Sequence, residues 1–278
     1  MLIYYNGEVI ELSNVQLSPF DRGFQFGDGV YEVIRYYPQK FFKYEAHINR
    51  LKYSLREMEI PAPDLSNLEN ILYELINKNG LKDKPAITYL QITRGIQFPR
   101  RHIPDNDIKP TFFIYVEKFP IKTNDMLNGV KVDLEKDIRW QRCDIKTIAL
   151  IPNILSKKRA AAKELFEIIW HRSGIITEGT QTNVFFVKDK LLFTHPLNTN
   201  ILAGVTRAII IELCRQFSIQ CYEKEIRVDE INSCEEVFLA STTSEVMPVI
   251  EIAGTVVGNG CAGPITKFLQ NEYSKLHS

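Results

Sequence analysis

Arg139-Trp140-Gln141-Arg142-Cys143-Asp144-Ile145-Lys146-Thr147 is the stretch on which the reading of this chain turns. It sets two arginines, an aspartate and a tryptophan among few helix or strand formers, shortly before a Lys- and Ala-rich segment, 153–166, that reads as a helix. Catalytic side chains concentrate on loops of this kind, held by a rigid scaffold. Taken alone, Lys146 is one lysine among many, and the plain alternative is a solvated surface ammonium. The choice depends on what stands elsewhere in the chain.

Working outward, Phe119-Pro120 to Asn128-Gly129 lacks apolar periodicity and reads as a boundary. It predicts a domain over 1–120, a linker over 121–128 and a second domain over 129–278. Before it, Leu2 to Ile10 forms a hairpin around Asn6-Gly7, the strongest short hairpin signal. Ile48, Leu51, Leu55 and Met58 fall at helical spacing over Tyr44–Met58, and Arg50 borders that stripe. Such an Arg ordinarily lays its stem on the core edge and its head in water. Ser66 to Glu69 matches a capping box that opens a second helix. Ala86–Thr93 and Thr111–Glu117 read as strands.

After the boundary, strands are predicted over Val130–Leu134, Glu167–His171 and Glu236–Ala240, with Leu191–Thr194 paired to a strand from Asn183. Gly204, Val205 and Thr206 open a helix whose first N–H groups suit an anion. Ser241-Thr242-Thr243-Ser244-Glu245 is a hydroxyl-rich turn, either an anion cup or a plain cap.

The totals bound the function. Lys+Arg and Asp+Glu are both 34, a balance that asks for neither nucleic acid nor an anionic membrane. No apolar run approaches the ~20 residues that span a bilayer. The first seven residues read as strand and turn, not a signal peptide. The five cysteines (143, 214, 221, 234, 261) form no CxxC pair, which suits reduced thiols in the cytoplasm. No metal site is expected.

Each feature alone admits a bland explanation; their joint order resembles a family. Phe26-Gly27-Asp28-Gly29-Val30-Tyr31-Glu32, His47-Ile48-Asn49-Arg50-Leu51, Thr93-Arg94-Gly95, Asp144-Ile145-Lys146, Thr177-Glu178-Gly179 with Asn183-Val184-Phe185, Gly204-Val205-Thr206-Arg207 and Ser241 to Glu245 follow the order of the fold-type IV pyridoxal-phosphate enzymes. The resemblance runs from about Tyr4 to beyond Val249. It implies an α/β (α+β) fold of two domains, a smaller sandwich-like N-terminal α/β domain and a larger C-terminal pseudo-barrel. Within the family the chain is most similar to the D-amino acid aminotransferases, on Asp137 to Trp140, Arg142 to Lys146, Pro99-Arg100-Arg101-His102 and the run from Ser241 to Glu251.

The resemblance implies pyridoxal 5'-phosphate as cofactor, Lys146 as the Schiff-base lysine and Glu178 as the partner of the pyridine nitrogen. Arg50, the Val205 and Thr206 N–H groups and the Thr242 hydroxyl are implied as phosphate ligands, with Leu202 also at the cofactor. On the substrate side it implies Tyr31, Thr243, Arg100 and His102; the last two would trap the α-carboxylate from a neighbouring subunit of a homodimer. Arg101 is a rival in that loop, and a solvated basic loop is the plain alternative. Phe98, Ile103 and Phe24 are candidates for a side-chain pocket. The implied reaction is a ping-pong transfer of an amino group from a D-amino acid, of D-alanine or D-glutamate type, to a 2-oxo acid. Branched-chain L-aminotransferases and aminodeoxychorismate lyase share the fold and stay open as alternatives, as does a cofactor-binding protein with little turnover.

Overall fold

Alternating burial along the N-terminal strands sorts side chains onto the two faces of one sheet. The computed structural model describes residues 1–277 and divides the chain into two units. The first holds residues 1–120 and 145–149, the second 121–144 and the remainder from 150. In the first unit, β1 (Leu2–Tyr5), β2 (Glu8–Glu11), α1 (Arg22–Phe26), β3 (Gly29–Tyr37), β4 (Lys40–Phe41), α2 (Tyr44–Glu57), α3 (Leu68–Lys78), β5 (Ala86–Thr93) and β6 (Thr111–Lys118) follow in order. The strands form one antiparallel sheet in the order β2-β1-β6-β5-β3-β4. Asn6 and Gly7 both take positive φ, the backbone that matches a tight hairpin to the strand twist.

Val30, Ile34 and Tyr36 on β3 share one core with Ile48, Leu51 and Leu55 of α2 and Leu68, Leu72, Leu75 and Ile76 of α3. Both helices bury their apolar stripe there, which stabilises them far more than intrinsic propensity would. The helix at 68 starts differently from expectation. Its N-cap is Asn67 with no side-chain cap bond, and the Ser66 N–H donates to Asp64 Oδ1. Asp64 thus organises a turn ahead of the helix, and the capping box does not form.

The second unit runs α4 (Thr123–Asn128), β7 (Val130–Lys136), α5 (Ile151–Ala162), β8 (Glu167–Arg172), β9 (Ile175–Gly179), β10 (Asn183–Lys188), β11 (Leu191–Thr194), α6 (Val205–Gln216), β12 (Cys221–Glu223), β13 (Glu236–Ser241), β14 (Glu245–Ile252), β15 (Thr255–Val256) and α7 (Pro264–Lys275). Its sheet orders the strands β12-β11-β10-β13-β14-β7-β8-β9, with β15 on β14. β9 ends that order, yet only residues 180–182 join it to β10 near the opposite end. The Gly179 N–H donates to the Thr182 carbonyl across that turn, so the sheet curls toward closure. Segment 121–128, expected to be a linker, carries α4, and Met126 packs on the core of this unit. Residues 145–149, expected in the C-terminal domain, group with the first unit instead. No helix among the described residues is long and apolar enough to cross a membrane.

Gly95 ends the Thr93-Arg94-Gly95 run at φ +106, and a Cβ there would lie 1.9 Å from the Lys109 carbonyl oxygen. Gly95→Ala therefore meets a disfavoured backbone and a backbone collision at once. We expect it to lower stability by about 2 kcal/mol or more, read as a reduced denaturant midpoint at unchanged slope.

Candidate functional site

The Lys146 backbone is fixed from both sides within the first unit. Its N–H donates to Ser54 Oγ of α2 at 3.1 Å, and its carbonyl accepts the Tyr31 N–H at 3.0 Å. Ile145 lies in the α2–α3 core, Thr147 bridges to Val30, and the Thr147 hydroxyl donates to the Gly29 carbonyl at 3.2 Å. The segment runs irregularly beside β3, joined to it by one isolated bridge, and that fixes where the side chain starts. The Lys146 Nζ stands 4.0 Å from the Tyr31 ring centroid. Tyr31 in turn stacks on Tyr89 at 5.6 Å. The amine is half-buried, on the sheet face opposite the helices.

Arg50 does not put its head in water. Its Nε donates to Glu32 Oε2 at 2.9 Å and its Nη2 to Glu32 Oε1 at 2.6 Å, a bidentate grip with the side chain 10% exposed. Glu32 is fully buried, and His47 Nδ1 lies 3.1 Å from Oε1. Burial alone would raise the Glu32 pKa, but Arg50 and His47, by charge and by hydrogen bonds, outweigh it and hold the carboxyl well below its usual range. Burial lowers the His47 pKa against the pull of Glu32, so a neutral imidazole donating from Nδ1 completes the cluster. Strand parity was the available signal. Glu32 alternates with Val30 and Ile34 on the core face, where an acid needs a cation, and His47 and Arg50 are three apart on α2.

Arg100 and His102 lie on the exposed loop after β5. The Arg100 guanidinium stands 4.1 Å from the Phe26 ring centroid and the His102 ring 5.6 Å from it. Arg101, the rival, is 60% exposed and reaches only Asp105 at 3.9 Å. Phe98, Ile103 and Phe24 are 72%, 81% and 82% exposed.

In the second unit Glu178, at the end of β9, is buried and surrounded by donors. Arg139 Nη1 donates to its Oε1 at 2.6 Å; Asn183 Nδ2 and the Leu202 N–H donate to Oε2 at 3.1 and 3.0 Å. Asn183 Nδ2 also donates to the Leu202 carbonyl at 3.0 Å, locking the strand to the loop before α6. Burial raises the Glu178 pKa and prevails over Arg139, because Asp137 takes Arg139's remaining donors and adds a like charge. Arg139 lies flat over Trp170 at 4.2 Å. Arg172 joins Asp137 at 3.0 Å and donates to the Trp140 carbonyl at 2.8 Å, clamping the 139–143 loop. Cys143 Sγ lies 3.4 Å from that guanidinium, and burial pushes its thiol up to about 11. None of the roles of Glu32, His47, Ser54, Arg139 or Asn183 was read from the sequence, although all but Ser54 fall inside quoted motifs.

Three residues past Leu202, α6 begins at Val205 with Gly204 as N-cap and no side-chain cap bond. A Cβ on Gly204 would lie 2.0 Å from Asn183 Oδ1, so the residue that elsewhere caps a helix has no room here. The helix thus opens at Val205 and Thr206 without a side-chain cap. Thr242 and Thr243 sit half-buried at the tip of the β13–β14 hairpin. The cap within that turn is Ser241, whose Oγ accepts the Ser244 N–H at 3.1 Å and meets Thr243 Oγ1 at 3.5 Å. Thr242 is therefore not the residue that caps it.

Lys146, Tyr31, Arg50, Arg100 and His102 thus belong to the first unit, and Glu178, Leu202, Val205, Thr206, Thr242 and Thr243 to the second.

Glu32→Gln tests the buried grip on Arg50. Because the folded pKa is depressed, the stabilisation is present above the ordinary value of 4.5 and fades as pH falls below it. We expect a loss of about 3 kcal/mol at pH 7, with the gap to the parent closing progressively below pH 4.5. Urea titrations across pH 3–7 read it.

The family model for amino-transferase class IV matches residues 29–252. The sequence is 41% identical to a D-alanine aminotransferase of Bacillus licheniformis, over 97% of this chain and 95% of that one. It is 36% identical to a D-alanine aminotransferase of Listeria innocua, over 98% and 95%. The structure is similar to a branched-chain amino acid aminotransferase of Escherichia coli with a TM-score of 0.92 at 24% identity, covering 100% of this chain and 94% of the other. It is similar also to a hypothetical aminotransferase from Mycobacterium tuberculosis in its PLP-bound form, with a TM-score of 0.87 at 20% identity over 99% and 98%. At those identities the structural likeness speaks for the fold alone.

Proposed function

The chain belongs to the class IV aminotransferases, and from that premise we propose that it moves the amino group of a D-amino acid to a 2-oxo acid with pyridoxal 5'-phosphate as cofactor. The observation that carries this reading is the Lys146 amine, its backbone fixed at both ends and its Nζ set over the Tyr31 ring. The donor class rests on the D-alanine aminotransferase relatives, with D-alanine and D-glutamate as the types expected.

The residues present fit the cofactor. A helix start with no room for a capping side chain suits a phosphate, and a buried glutamate whose oxygens both face donors suits a ring N–H. Arg50, the Val205 and Thr206 N–H groups and the Thr242 hydroxyl would hold the phosphate, with Leu202 beside the ring. Glu178 would hold the pyridine nitrogen and Lys146 the aldehyde carbon. Bound there, pyridoxal phosphate supplies an electrophilic carbon and a ring that accepts the electron pair left at the substrate Cα.

The remaining work falls to the chain. The Lys146 amine takes the Cα proton and returns it on one side only, an acid–base step that typically contributes ~10²–10⁴-fold. Tyr31 borders that amine, and Thr243 lines the substrate side. Arg100 and His102 bind the α-carboxylate, and the side on which they hold it selects the D enantiomer. We assign them to the neighbouring copy in a homodimer. The exposed Phe98 and Ile103 of the same loop support a covering partner. Five unpaired thiols support a cytoplasmic setting.

The test is rapid mixing of the cofactor-loaded protein with single donors. D-alanine and D-glutamate are expected to bleach the near-visible absorbance faster than L-leucine and L-glutamate; faster bleaching by the L donors overturns the assignment. Lys146→Ala should lose the covalent cofactor trapped by borohydride in the parent and at least ~10²-fold in turnover.

A further inference from the structure

Asp21 to Phe26 leads into the Phe26–Glu32 motif quoted from the sequence, and its contacts include the substrate loop. Arg22 is 5% exposed and spends its donors there. Its Nη1 donates to Gln97 Oε1 at 2.8 Å and to the Arg101 carbonyl at 2.7 Å, and its Nη2 to the His102 carbonyl at 3.0 Å. Its Nε donates to Asp28 Oδ2 at 2.8 Å. Asp28 is anchored by Arg94, which in turn donates to the carbonyls of Met58 and Glu59. Gln97, also buried, donates to the Ile103 carbonyl at 3.2 Å. Both ends of the 97–103 loop are therefore tied to one guanidinium.

The side chains are held by a second element of the same motif. Phe26 ends α1, and its ring carries the Arg22 guanidinium at 4.8 Å, the Arg100 guanidinium at 4.1 Å and the His102 ring at 5.6 Å. An exposed Arg on a loop samples many rotamers, and each one fixed on binding lowers affinity. Here the loop backbone and the Arg100 side chain both have partners within the chain.

We infer that Arg22 and Phe26 are positioning residues for substrate: Arg22 fixes the loop backbone and Phe26 holds Arg100 and His102 side by side for the α-carboxylate. This rests on the reading of Arg100 and His102 given above. It assigns Arg22 and Phe26 to substrate capture, while Gly29 supports the Lys146 segment.

The experiment compares Arg22→Met, Phe26→Leu and Arg100→Met in the cofactor-loaded full chain. Steady-state kinetics with D-alanine are combined with amide hydrogen exchange over 97–103. Phe26→Leu removes only the ring platform and keeps the buried Arg22–Asp28 pair. It is expected to raise the donor KM about tenfold with kcat within twofold, and to leave cofactor affinity unchanged. Arg22→Met should do the same and also speed exchange at 97–103 but not along β5. A raised KM in Arg100→Met with unchanged KM in both other variants overturns the inference and leaves the reading of Arg100 standing. No change in Arg100→Met removes that reading and the inference with it. A fall in kcat or cofactor affinity with KM unchanged in Phe26→Leu also overturns it.

Discussion

Two hydrogen bonds to the backbone of Lys146 carry the design. The chain leaves the second unit at Asp144, gives five residues to the first and returns at Leu150. Within those five, Ser54 takes the amide proton and Tyr31 donates to the carbonyl. Neither bond is worth more than about 1 kcal/mol net, but a buried amide or carbonyl left unpaired costs more, so the register is strongly selected. A flexible lysine is aimed by its Cα, and here the Cα is held by a helix on one side and a strand on the other. The Lys146 amine starts from a position set by secondary structure and ends over the Tyr31 ring.

Glu32 and Glu178, both buried, show how the same ingredients give opposite results. Each meets one arginine. Arg50 gives Glu32 two bonds and His47 adds a third, so the charged form wins over burial. Arg139 gives Glu178 a single bond and commits its other donors to Asp137, whose charge works against Glu178. Burial then prevails, and Glu178 keeps an affinity for a proton shared from outside. The direction of each shift follows from how many donors the partner arginine can spare.

Much of this was legible in the sequence, and the remainder fails for stated reasons. Helices and strands with strong periodicity, such as α2, α3, β5 and β6, begin and end close to expectation because burial of a stripe decides them. The α4 helix was missed because six residues with Thr, Asn and Asp carry no stripe; one half-buried Met126 ties it down. The capping box at Ser66 failed because Asp64 offered the Ser66 amide a local partner first. From spacing alone Arg50 reads as a snorkelling side chain, because its partner, Glu32, is eighteen positions away on another element. Motifs mark positions, but side-chain partnerships across elements are visible only once strands and helices are assembled.

Cys143 lies three residues before Lys146, yet its buried sulfur sits against Arg172 and the Trp140 carbonyl, with its thiol pushed up to about 11. Alkylating reagents attack thiolates, so this sulfur is a poor target. Cys261 is the exposed thiol. A maleimide dye or spin label added to the unmodified protein would therefore reach the turn before α7 and leave the lysine loop chemically untouched.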